Sequence, residues 1–132
     1  MLVVDAGPLA AAINAGEPHH AWALEVMQSP GVRLVTFEAA IAEAQHALEN
    51  RPAALAALER LCDRIEVAAL GKDRLASVFA LARRFAPRMD FADACAIVIA
   101  SQLRAAAVLT TDFRDFSIYR SPFVSPQGAF LE

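Results

Sequence analysis

The chain has 132 residues, 12 basic against 15 acidic side chains, a net charge of -3 and 57% hydrophobic residues. That balance suits one globular domain over residues 1–132 and excludes a disordered chain or a strongly basic, histone-like binder. No uncharged apolar run reaches the ~18 residues of a membrane span, and Asp5 interrupts the opening apolar run before a signal peptide can form, so a cytoplasmic protein is expected.

Leu2-Val3-Val4 predicts a first strand ending at Asp5, and Gly7-Pro8 predicts a helix to Ile13 with Pro8 as its first residue. A second helix is expected around Trp22, Val26 and Met27, closed by Ser29-Pro30-Gly31. Residues 33–36 read as a second strand. Phe37, Ile41, Ala44 and Leu48 then recur at helical spacing, and Pro52 starts a further helix with Leu55, Leu58 and Leu61 on its buried face.

Residues 65–68 read as a third strand. The stripe Leu75, Val78, Phe79, Ala82 and Phe85 predicts a helix with one apolar face, ended by Pro87. Asp90 and Asp93 open a helix that is apolar almost all round and so is expected at the centre of the fold, and residues 106–110 give a fourth strand. The tail from Phe113 onward, with Pro122, Pro126 and Gly128, reads as a loop with a short edge strand near residues 129–131. Strands alternating with helices imply a mostly parallel sheet covered on both faces, with ligands bound beyond the carboxyl ends of the strands.

That end of the sheet collects acids. Asp5 ends the first strand, Asp112 follows the fourth, and Asp93 lies in the first turn of the helix leading into the fourth. Glu43 lies two turns into the helix after strand two, among alanines that make a poor setting for a charge, and becomes the fourth candidate. Ionised carboxylates that share so small a volume either take up protons or are neutralised by a cation. An all-oxygen donor set suits Mg²⁺ or Mn²⁺ rather than zinc, and the chemistry such a site supports is phosphodiester hydrolysis.

Four segments in order resemble the PIN-domain ribonucleases, in particular the VapC toxins of bacterial toxin–antitoxin pairs. They are Val3-Val4-Asp5-Ala6-Gly7-Pro8-Leu9, Ile41-Ala42-Glu43, Met89-Asp90-Phe91-Ala92-Asp93-Ala94 and Val108-Leu109-Thr110-Thr111-Asp112-Phe113-Arg114-Asp115-Phe116. The resemblance covers nearly the whole chain. It implies a PIN-like three-layer α/β/α sandwich with a mostly parallel central sheet of four to five strands. It also implies a Mg²⁺- or Mn²⁺-dependent endoribonuclease acting on RNA, a VapB-like antitoxin partner and a homodimer. By the same resemblance Asp5, Glu43, Asp93 and Asp112 match the family's catalytic and metal-binding acids, Thr110 its threonine ahead of the last acid, and Asp115 a frequent accessory acid. One departure is Ala6, where the family often has Ser or Thr directly after the first aspartate.

Neighbouring residues have plainer readings. Asp90 is assigned to capping beside Asp93, as an accessory to the site, and Glu38 to the dipole of its helix. Arg83, Arg84 and Arg88 are candidates for holding an RNA backbone, or else a solvated helix end. His19, His20 and His46 show no zinc-ligand spacing, and no phosphate loop is present. The rival functions are a PIN-like module that binds RNA or protein without cleaving and, further off, an acid-site phosphatase.

Overall fold

A computed structural model describes residues 1–131. Six strands, β1 (Leu2–Val4), β2 (Leu34–Phe37), β3 (Glu66–Ala68), β4 (Ala107–Leu109), β5 (Phe123–Ser125) and β6 (Gly128–Phe130), form one sheet in the order β3-β2-β1-β4-β5-β6. All neighbours are parallel except the β5–β6 hairpin. The α-helices among the described residues are α1 (Ala6–Ile13), α2 (His20–Met27), α3 (Glu38–Ala47), α4 (Pro52–Cys62), α5 (Leu75–Arg84), α6 (Phe91–Leu103) and α7 (Phe113–Tyr119).

Alternate side chains of a strand point to opposite faces, so a strand buried at every position must be covered on both sides. Both β2 and β4 are buried throughout, as the apolar runs in their sequences require. Helix α6 supplies much of that cover: Ala94, Cys95, Ala96 and Ile99 are almost fully buried, and the helix packs on β1, β4, α3 and α5. Small side chains there let the helix approach the sheet closely, which is why alanine rather than leucine dominates its sequence.

The chain runs from β1 to β2 and β3 on one side and returns to β4 on the other. The strand order therefore reverses between β1 and β4, which pair directly in the register Val4↔Leu109. In open α/β sheets the crevice beyond the carboxyl ends at such a reversal is where ligands bind. Asp5 leaves β1, and Thr110 and Asp112 leave β4, at this point.

Several expectations need correction. The sheet has six strands rather than four to five. Strand β5 is three residues between Pro122 and Pro126, too short to show a periodic pattern, and its hairpin is closed by Ser125, whose hydroxyl donates to the Gly128 carbonyl at 2.8 Å. Residues 113–119 form α7 rather than a loop. Asp112 is its N-cap, accepting from the Asp115 N–H at 3.0 Å, and Phe116 and Tyr119 lie one turn apart on its buried side. Helix α1 starts at Ala6, two residues ahead of Pro8. Pro8 still falls in the first turn, where no intrahelical N–H is required. In the α5 stripe Val78 is fully buried, but Phe79 turns outward, 50% exposed, and meets Phe91 with ring centroids 5.7 Å apart.

Candidate active site

Asp5 follows β1 in an extended conformation, and its N–H donates to the Leu109 carbonyl of β4 at 3.0 Å. The carboxylate is thereby carried inward and is only 7% exposed. Thr110, buried at 1% exposure, stands beside it and donates its hydroxyl to Asp5 Oδ2 at 3.2 Å. The same hydroxyl accepts the Asp112 N–H at 3.1 Å. One threonine thus fixes the first acid and the backbone that carries the last. It provides next to Asp5 the hydroxyl that Ala6 does not.

Gly7 makes this approach possible. A Cβ built on Gly7 would lie 2.0 Å from Thr111 Oγ1 and 3.1 Å from its Cβ. Only a residue without a side chain lets the start of α1 press against the segment after β4.

Asp93 enters from α6. Asp90 caps this helix with Oδ1 accepting the Asp93 N–H at 2.8 Å, and the Asp90 N–H reaches back to Asp93 Oδ2 at 3.5 Å. The capping assignment of Asp90 is therefore correct, and the Asp90 charge also bears on Asp5, Glu43 and Asp93. Asp93 has a second partner that the sequence reading passed over: the buried Tyr119 of α7 donates its hydroxyl to Asp93 Oδ2 at 2.9 Å. The signal for Tyr119 was its spacing from Phe116, which marks a buried helical face once α7 is recognised.

Burial pushes the Asp5 carboxyl up to about 7; the Ala6 N–H and Thr110 hydroxyl oppose this, while Glu43 and Asp90 add to it. Asp93 is likewise raised to about 7, first by burial and then by Asp90 and Asp5, against the hydrogen bonds from Tyr119 and the Asp90 backbone. Glu43 is raised by partial desolvation and by Asp90, and Asp112 by burial and by the Asp115 side chain, against the Asp115 N–H and the Arg88 charge. Tyr119 moves in the direction that keeps its proton, because of burial and then the Asp93 charge. Asp5, Glu43, Asp90 and Asp93 thus form one electrostatic group, and Asp112 joins it through Thr110.

Glu43 does not sit where its alanine neighbours suggested. It lies on the exposed side of α3 with Ala42 and Ala47, so it needs no special reason to carry a charge, yet it still bears on Asp5. Glu38 is exposed in the first turn of α3. Among the arginines, Arg88 reaches the acidic end, donating from Nη1 to Asp115 Oδ1 at 2.7 Å. Arg83 and Arg84 are exposed in the last turn of α5, and Arg84 lies over the Phe85 ring at 5.3 Å.

The acids of this array offer oxygen donors alone. Among the described residues, no three His, Cys, Asp or Glu side chains stand grouped as a metal cage. Two carboxyls raised to about 7 are what burial does to a carboxylate, with the neighbouring acids adding to the shift. The donor set fits Mg²⁺ or Mn²⁺, hard cations that prefer carboxylate and water.

No family profile matches the chain. Ribonuclease VapC26 of Mycobacterium tuberculosis is 30% identical over 124 residues, spanning 90% of this chain and 92% of that protein. The crystal structure of Mycobacterium tuberculosis VapC20, a toxin that cleaves the sarcin-ricin loop, superposes with a TM-score of 0.78 at 22% identity, over 89% of this chain and 95% of VapC20. That likeness shows a shared fold, and the identity to VapC26 over nearly all of both chains shows descent, so this chain belongs to the VapC family of PIN-domain ribonucleases.

Proposed function

We propose that this chain is a metal-dependent endoribonuclease and the toxin of a type II toxin–antitoxin pair, acting in the cytoplasm as a homodimer held in check by a VapB-like antitoxin. The observation that carries the reading is the group Asp5, Glu43 and Asp93, linked to Asp112 through Thr110, at the strand-order reversal between β1 and β4. A carboxyl buried at the end of β1, with Glu43 and Asp90 bearing on it and its own charge bearing on Asp93, has no packing role that would justify its burial.

In this reading Asp5, Glu43, Asp93 and Asp112 hold Mg²⁺ or Mn²⁺, which supplies polarisation of the phosphoryl oxygens and a bound water of lowered pKa. Thr110 orients Asp5. Asp90 sets the entry of α6 and adds negative charge. Asp115 caps nothing itself; its N–H is held by Asp112 and its carboxylate holds Arg88 at the rim. Arg88, with Arg83 and Arg84, binds the RNA backbone through charge-assisted hydrogen bonds. Residues 1–132 act as a single domain.

The test is incubation of the antitoxin-free protein with a mixed cellular RNA pool in Mn²⁺, in Mg²⁺ and in chelator, beside Asp5→Asn. Metal-dependent fragments that disappear in the variant support the nuclease. Metal binding without any cleavage would replace it with a module that binds without cutting.

A further inference from the structure

We propose that Tyr119 is a positioning residue of the acidic site: its hydroxyl fixes the Asp93 carboxylate so that Asp93 Oδ1 stays free for the divalent cation. The inference rests on the metal-dependent reading above and extends it to a residue outside the acidic segments.

Tyr119 is 5% exposed and sits in an aromatic cluster, edge-on to Phe85 at 5.3 Å and to Phe116 at 5.2 Å between ring centroids. Phenylalanine would fill that space equally well, and a buried hydroxyl costs free energy unless it finds a partner. Here the partner is Asp93 Oδ2 at 2.9 Å, 26 residues away in sequence and on another helix. The reciprocal cap of α6 does not require it, since the Asp90–Asp93 contacts already close that turn. With Tyr119 and the Asp90 N–H both on Oδ2, Asp93 Oδ1 accepts no hydrogen bond among the described residues.

Helix α7 therefore carries three elements that serve the site: Asp112 at its N-cap, Asp115 in its first turn and Tyr119 at its end. It ties the acids after β4 to the acid on α6 as one rigid piece. Hydrogen bonds of this kind to a ligating carboxylate hold it in one orientation, and their loss commonly weakens metal affinity by about 10–100-fold.

The experiment measures Mn²⁺ binding by the paramagnetic resonance signal of the free ion, using the whole chain, for wild type, Tyr119→Phe and Asp5→Asn. The metal-free thermal midpoint of each is recorded alongside. Tyr119→Phe is expected to hold its midpoint within about 3 °C, since the ring packing is kept, while its Mn²⁺ dissociation constant rises about tenfold or more. Cleavage lost at limiting Mn²⁺ should return at saturating Mn²⁺. Unchanged Mn²⁺ affinity in Tyr119→Phe overturns the proposal, and a fallen midpoint beside it would mean that the bond only ties α7 to α6. Wild type that binds no Mn²⁺ in a manner sensitive to Asp5→Asn would instead sink the metal-dependent reading, and this inference with it.

Discussion

Replacing Asp5 by asparagine should abolish cleavage and at the same time stabilise the metal-free protein. Asp5 is 7% exposed and its carboxyl is raised from 3.8 to about 7. In the unfolded chain the same group loses its proton near pH 3.9. Above that pH the unfolded state gives up a proton that the folded state keeps, so stability falls as pH rises, and it stops falling once the folded carboxyl has also ionised. The penalty grows by about 1.4 kcal/mol per pH unit and levels off near pH 7 at about 4 kcal/mol. Asparagine carries no charge, and its carbonyl can still accept from Thr110 and Ala6. Its amide N–H groups need partners of their own, so the net gain at pH 8 is set at about 2–4 kcal/mol. Urea unfolding in chelator between pH 4.5 and 8 would measure the gap between variant and wild type, a difference in which groups common to both cancel. The gap should be small at the acid end and full at pH 8. Mg²⁺ or Mn²⁺ at a hundredfold excess over its dissociation constant should return about 2.7 kcal/mol to wild type and none to the variant. A gap that does not change with pH, or a variant less stable than wild type at pH 8 without metal, would refute the reasoning.

Three further outcomes follow from the same geometry. Gly7→Ala puts a methyl 2.0 Å from Thr111 Oγ1 and should cost about 1–3 kcal/mol, read as a fall of about 4 °C in thermal midpoint per kcal/mol; most of it should return in the double variant with Thr111→Ala, and additivity of the two changes would argue against the contact. Thr110→Val keeps the shape but removes the donor to Asp5 and the acceptor for the Asp112 N–H, so it should destabilise by about 1–3 kcal/mol, lower initial cleavage rates at least about tenfold and shift half-maximal cleavage to higher pH, because the lost donor holds the Asp5 carboxyl down. Arg88→Ala should raise KM for RNA with little change in kcat and reduce the salt slope of binding by about 1; equal salt slopes in the two proteins would remove Arg88 from the RNA contact.

What the sequence made legible was whatever leaves a local mark. The run Leu2-Val3-Val4 before Asp5, the N-cap at Asp90 and the apolar α6 each stand out in a window of a few residues, and the order of strands and helices then puts the four acids at one end of a parallel sheet. Strand β5 and helix α7 left weaker marks, being three and seven residues long and set among Pro122, Pro126 and aromatics at irregular spacing. Phe79 was misjudged because helical periodicity finds an apolar stripe but does not say which edge of the stripe the neighbouring helix covers. The burial of Asp5 was foreseeable from its place at the end of β1. Its bond to Thr110 was not, since that contact exists only when β1 and β4 are neighbours.

The reversal of strand order between β1 and β4 explains why the site is built at a cost to stability. At the reversal α1 follows β1 and α7 follows β4, and a crevice is left between these two connections. This chain places Asp5 there and brings the neighbouring backbone close through Gly7, a residue that adds no packing of its own. On the metal-dependent reading proposed above, the residues that weaken the metal-free fold are the same ones that would bind the cation, and cation binding should act as part of folding for this chain. A variant selected only for stability in chelator would lose Asp5 or Asp93 first, because these two carboxyls sit farthest from their ordinary ionisation.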